Sequence, residues 1–121
     1  MNMKNSISIL SAVLVFTVVF TGVAQSAATP EKITKIEDVT RGASVALQGK
    51  VTRILDEDEF RLADETGSIR IYIGWRNRVM VTVGESVTVR GFVDDDLVNV
   101  FRPEVYASEL VREDGTVVQL N

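Results

Sequence analysis

The sequence has no cysteine and no histidine. Without cysteine there is no disulfide, no thiolate metal site and no thiol nucleophile. Without histidine the chain lacks the commonest general base and the commonest transition-metal ligand. Proline occurs twice, at Pro30 and Pro103. Acidic residues are absent before Glu31, so Lys4 is the only charged side chain in the first 30 positions. Positions 31–121 carry 12 basic and 17 acidic residues, a net −5. A domain of that sign has no overall attraction for a phosphate backbone.

The chain divides into two parts. Met1 to Asn5 is a short segment carrying Lys4, and Ile7 to Val23 is almost continuously apolar. Small residues at Ala24, Ser26 and Ala28 then fit the cleavage pattern of an export signal, and Pro30 discourages helix continuation. The expectation is a cleavable signal peptide over 1–28 and a periplasmic or secreted protein that meets the membrane only through this segment before cleavage. The alternative is an uncleaved anchor, for which the apolar stretch is short.

Beyond it, 29–43 reads as a polar lead-in with one helical turn, where Ile33, Ile36 and Val39 form an apolar edge. From Val45 the period becomes two. Val45, Leu47, Gly49 and Val51 alternate with Ala46, Gln48, Lys50 and Thr52. Further strands are expected at 60–64, 69–73, 86–94 and 97–101, followed by 105–112 in extended or briefly helical form and a short last strand at 116–120. Gly67 and the Asp114-Gly115 pair mark turns, with Gly67 able to supply positive φ. Glycines at 49 and 91 inside strand patterns predict bulges or sharp bends. There is no long helix and no repeat. The expected fold is all-β, a small five-stranded barrel over 44–121, with an open sandwich as the alternative.

The run VALQGKVTRILDEDEFRLADETGSIRIYIG resembles the first three strands of OB-fold domains. It is similar, in particular, to the bacterial OB-fold family of small exported proteins. The matching features are Leu47-Gln48-Gly49-Lys50-Val51, the hairpin pattern of Phe60, Leu62, Asp64 and Gly67, and the later Val87, Val89 and Gly91. The resemblance implies an OB barrel in the periplasm, a link to stress tolerance and a small ligand, with no defined active site. The stretch 74–84 is too short and too β-branched for a helix between the third and fourth strands.

Alternation puts Phe60, Leu62, Ile69, Ile71, Val87 and Val89 inside. Lys50, Arg61, Arg70, Tyr72, Arg90 and Phe92 then face outward, a basic and aromatic surface able to hold an anionic or ring-bearing ligand. The plain reading is a charged outer face on which Tyr72 and Phe92 pair across strands. Trp75 reads as a plug for the barrel's end, or else as an exposed stacking platform. Asp56, Asp58, Asp94, Asp95 and Asp96 lie in two acidic loops that either bind a divalent cation or serve as solvated turns. The functional expectation is a non-catalytic periplasmic binding module without a cofactor, serving a small anionic or glycan ligand or a protein partner, with envelope stress tolerance as a candidate role. The rivals are a single-stranded nucleic-acid-binding OB domain and a cation-binding or structural envelope protein.

Overall fold

The computed structural model describes residues 31–78, 80–96 and 102–120. The signal peptide expected over 1–28 and the strand expected at 97–101 lie outside the described residues. The elements are a 3-10 turn at Ile36–Asp38, then β1 (Ser44–Asp56), β2 (Glu59–Asp64), β3 (Gly67–Tyr72), β4 (Ser86–Val93), β5 (Glu104–Val111) and β6 (Val117–Gln119). The sheet order is β3-β2-β1-β4-β5-β6, and β3 pairs in parallel with β5. That last pairing closes the first five strands into a barrel and leaves β6 as an appendix on β5.

β1 makes the closure possible. Its first half pairs with β4 and its second half with β2, and Lys50 is in register with both Ser86 and Ala63. One long strand thereby belongs to two walls. A register shift between Val51 and Arg53 bends it where it changes partner, as bulges do.

The alternation expected from the sequence holds. Phe60, Leu62, Ile69, Ile71, Val87 and Val89 are all buried and form one core with Leu47, Val51, Val93 and Val105. Ala46 departs from it. Alternation places this residue outside, yet it is buried, because the lead-in lies over this part of β1 and Thr34 N donates to Ala46 O at 2.8 Å. Within the lead-in Ile36 is buried and Val39 packs on the core, while Ile33 is exposed. The segment at 105–112 is strand, not helix.

Asp64 explains the hairpin pattern. Its Oδ1 accepts from Thr66 N at 2.8 Å, Thr66 Oγ1 at 2.6 Å and Gly67 N at 3.1 Å. Its Oδ2 accepts from Ile36 N at 2.9 Å. One carboxylate therefore sets the β2–β3 turn and fastens the lead-in to it. Gly67 is not among the glycines of positive φ, so this turn does not use the left-handed conformation there. Gly115 does, at φ 87°.

Burial pushes the Asp64 pKa up, but the hydrogen bonds from Thr66, Ile36 and Gly67 outweigh it and hold the carboxyl below the ordinary aspartate value. A depressed carboxylate contributes stability that is present at neutral pH and lost as pH falls through its folded pKa. Asp64→Ala is expected to cost about 2 kcal/mol at pH 7, less than the sum of its hydrogen bonds because solvent screens a half-buried group. Urea unfolding at pH 7 and at pH 3 checks this. The gap between wild type and variant should narrow at the lower pH.

Candidate functional site

The outer face of β2, β3 and β5 is built rung by rung. Arg53 on β1, Arg61 on β2 and Arg70 on β3 lie in one register row. The parallel pairing then sets Glu104 beside Arg70 and Tyr106 beside Tyr72. Phe92 on β4 is in register with Tyr106. An arginine rung and an aromatic rung thus run side by side across the barrel wall.

The arginines meet in a cleft. Arg61, Ser68, Arg70, Arg102 and Pro103 line a hollow of about 440 Å³. Arg61 Nη1 donates to Ser68 Oγ at 3.3 Å, which turns its guanidinium toward β3. Arg70 Nε lies 3.9 Å from Glu59 Oε2, with both side chains partly exposed. Such a contact is long and weak. Among the described residues neither Arg61 nor Arg102 has an acidic partner.

Carboxylates stand at the edge of this cleft. Burial raises the pKa of Glu104, and the neighbouring Glu59 raises it further, while Arg70 opposes both. The two glutamates therefore compete for one arginine. Tyr106 Oη donates to Asp94 Oδ2 at 3.4 Å. Burial, then Asp94, raises the tyrosine's pKa, so the phenol stays protonated.

The aromatic partner differs from the one expected. Tyr72 meets Tyr106 edge to face, with centroids 5.6 Å apart at 86°. Parallel closure puts β5 between β3 and β4, so Tyr106 separates Tyr72 from Phe92. Phe92 and Tyr106 remain partly exposed, at 40% and 42%, and keep ring surface available for stacking.

This barrel order is that of an OB domain, and a family model described as bacterial OB fold (BOF) protein matches residues 17–104. The chain belongs to the bacterial OB-fold family. No curated protein matches it. Among solved structures, it is similar to the hypothetical protein ygiW from E. coli at 22% identity. That match has a TM-score of 0.54 and covers 67% of this chain and 89% of that one. It is also similar to asparaginyl-tRNA synthetase from Pyrococcus horikoshii. With asparaginyl-adenylate bound, the figures are 20% identity, TM-score 0.55, 74% of this chain and 23% of that one. The synthetase structure described without that ligand gives 20%, 0.55, 74% and 24%. At these identities the likeness is one of fold, and this chain spans only a small part of the synthetase.

Set on the BOF barrel, the expected site residues separate into groups. Arg61 and Arg70 come together in the cleft, and Tyr72 lies one rung away. Lys50 is exposed in register with Ala63, on the far side of β2 from the cleft. Arg90 faces outward into a different hollow, which it lines together with Phe92, Tyr106 and Glu31 of the lead-in. Its Nε and Nη2 donate to the two Glu31 carboxylate oxygens at 2.6 and 2.5 Å, and its Nη1 donates to Glu109. This bidentate hold raises the arginine's pKa, and Arg90 serves to clamp the lead-in to the BOF barrel.

Trp75 does not plug the barrel. It is 75% exposed, and the Arg76 guanidinium stacks 4.8 Å from its ring centre. The connection after β3 contains no helix among its described residues. In the acidic loops, Asp56 Oδ1 accepts from Glu57 N and Asp94 Oδ1 from Asp96 N, at 2.8 and 3.0 Å. These carboxylates serve their own turns. Asp58 is half-buried and Asp95 exposed. Among the described residues no group of three acidic side chains is arranged to hold a metal ion.

Two arginines of this face, Arg53 beside the cleft's Arg61 and Arg102 in the cleft itself, escape a reading by alternation. Strict alternation puts Arg53 inside with Val51. The register shift between them turns it out, where it is exposed beside Arg61. Arg102 lies 32 positions from Arg70, and only the β3–β5 closure brings it to the same cleft.

Proposed function

We propose that this protein is a non-catalytic binding module of the cell envelope, which holds a small anionic ligand in the cleft of Arg61, Arg70 and Arg102. The observation that carries this reading is three guanidiniums around one hollow in an acidic chain, two of them without an acidic partner among the described residues. Unpaired arginines side by side repel one another, and an anion relieves that while accepting forked hydrogen bonds. The Tyr72–Tyr106 pair one rung away offers an aromatic surface to a ring attached to the anion. An acidic glycan fragment has both features. The lack of histidine and cysteine supports a role in binding over catalysis. The leader-like segment at 1–28 supports a periplasmic or secreted location, in which envelope stress tolerance is a fitting role.

A second reading has one observation in its favour. Aromatic rings beside arginines are how OB surfaces stack single-stranded nucleic acid. Against it stand Glu59, Asp94 and Glu104 along the same face, which repel a phosphate backbone.

A thermal-shift screen of the purified protein separates these readings. Its arms are neutral and acidic glycan fragments, small anionic metabolites, divalent cations and single-stranded DNA. A ligand at 100 times its Kd adds about 2.7 kcal/mol, or roughly 10–20 °C for a domain of this size. The expected response is confined to small anions. A salt-sensitive shift with DNA alone would replace this reading with the nucleic-acid one. A shift with divalent cations alone would move the site to the acidic loops. Silence in every arm would refute a small-molecule ligand and turn the search to a protein partner.

A further inference from the structure

Between β3 and β4 the described chain runs without a helix. A cavity of about 170 Å³ remains there. Phe60, Ile73, Val81, Leu110, Val118 and Leu120 form its apolar lining, and the one uncharged polar residue among the lining, Asn77, donates its Nδ2 to Ile73 O at 2.6 Å. None of the apolar side chains offers a hydrogen bond to water, and an apolar cavity of about 150 Å³ stays dry and accepts a group the size of benzene.

The mouth has the opposite character. Arg76 and Arg78 rim it beside Met80, and Met80 and Trp75 are 65% and 75% exposed. Arg78 Nη1 contacts Glu57 Oε2 at 2.6 Å, but the two side chains are 79% and 67% exposed. Such a surface pair is readily exchanged for another anion. The stretch 74–84 holds two arginines and no acidic residue, in a chain of net charge −4. An apolar pocket with a cationic, partly apolar lip fits a molecule that is hydrocarbon at one end and anionic at the other. The pocket shares no lining residue with the cleft of Arg61, Arg70 and Arg102.

We propose that this end of the barrel is a second binding site, which takes the hydrocarbon chain of an anionic amphiphile and holds its carboxylate or phosphate between Arg76 and Arg78. The chain enters between Met80 and the rim, and about six carbons fill the cavity, a size set by the benzene comparison. Filling a void restores packing contacts that its lining residues lack, so the occupied protein melts at a higher temperature. The source of the amphiphile is either a free fatty acid or a lipid within a bilayer.

Trp75 is the only tryptophan in the sequence and stacks against the rim residue Arg76, so its fluorescence reports on that rim. The test titrates the purified protein with sodium decanoate below its micelle concentration and, separately, with vesicles of phosphatidylcholine and phosphatidylglycerol. The expected result is a saturable blue shift with decanoate and a raised Tm. Val118→Phe, which fills the cavity, should abolish both. The double variant Arg76→Gln/Arg78→Gln should keep the fold and weaken decanoate binding roughly ten-fold, since charge-assisted hydrogen bonds are lost. A vesicle response that Val118→Phe also removes makes a bilayer lipid a further source. No saturable response to decanoate overturns the proposal, as does a decanoate affinity unchanged in the arginine variant, which decides the matter even if Val118→Phe does not fold. A blue shift with vesicles alone that survives Val118→Phe means instead that the 74–84 connection lies on a membrane surface, and the cavity takes no ligand.

Discussion

Gly91→Ala is expected to destabilise the barrel by about 3 kcal/mol, the upper end of the range for overpacking. A Cβ at Gly91 would lie 2.3 Å from Tyr106 O and 2.9 Å from Ala107 Cα, both backbone atoms. No rotamer relieves such a clash; β4 and β5 must separate. They cannot do so cheaply, because Gly91 sits at the register shift where β4 bends against β5. Gly49→Ala should behave alike. Its Cβ would lie 2.3 Å from Ala63 O, where β1 passes from its β4 partner to its β2 partner. For a domain of this size about 3 kcal/mol lowers Tm by roughly 12–24 °C. Gly67→Ala is the control. Its added methyl would meet only Ile36 Cγ2, at an ordinary 3.6 Å, so its melting point should stay near that of the wild type. Calorimetry on the three variants checks the argument, and a Gly91→Ala protein that melts like Gly67→Ala refutes it.

The second large effect concerns the cleft. Arg61→Ala combined with Arg102→Ala is expected to weaken the binding of a small anion about 100-fold, from the loss of two charge-assisted hydrogen bonds of about 1.5 kcal/mol each. Stability should change little or rise, because these guanidiniums line one hollow and have no acidic partner among the described residues. Glu59→Gln should act in the opposite direction. It frees Arg70 from its carboxylate neighbour 3.9 Å away and strengthens binding up to about five-fold, the worth of an exposed ion pair. Titration calorimetry with the anion that responds in the thermal-shift screen measures all three proteins. A double variant that binds as tightly as wild type would place the ligand elsewhere on the barrel.

Much of the barrel is legible in the sequence. The interior rows, Phe60 with Leu62, Ile69 with Ile71 and Val87 with Val89, follow from alternation because each strand has one buried face. Gly49 and Gly91 are legible as bends, since a strand tolerates glycine chiefly where backbones approach. The role of Asp64 is half legible. Its turn is a local matter within four residues, whereas its bond to Ile36 N joins residues 28 apart.

The site is less legible. Arg61 and Arg70 lie on adjacent strands of a tight hairpin, so their proximity is local. Arg102 reaches them through closure, and Arg53 through a bulge that reverses its facing. Arg90 reads as one more outward arginine, because nothing in the local pattern foretells that Glu31, 59 positions away, grips it. Trp75 reads as a plug because a large apolar ring favours burial, but the connection that carries it leaves the ring in solvent.

By itself the sequence determined what depends on neighbours in the chain: the apolar run at 7–23, the two-residue period of the strands, the turns and the bending glycines. Tertiary structure decided what depends on closure. The parallel pairing of β3 with β5 set Tyr106 against Tyr72, brought Arg102 to Arg61 and Arg70, and placed Glu104 in competition with Glu59. Alternation fixes which face of a strand a side chain occupies. It does not say which strand lies alongside, and that choice follows from burying the whole apolar face at once.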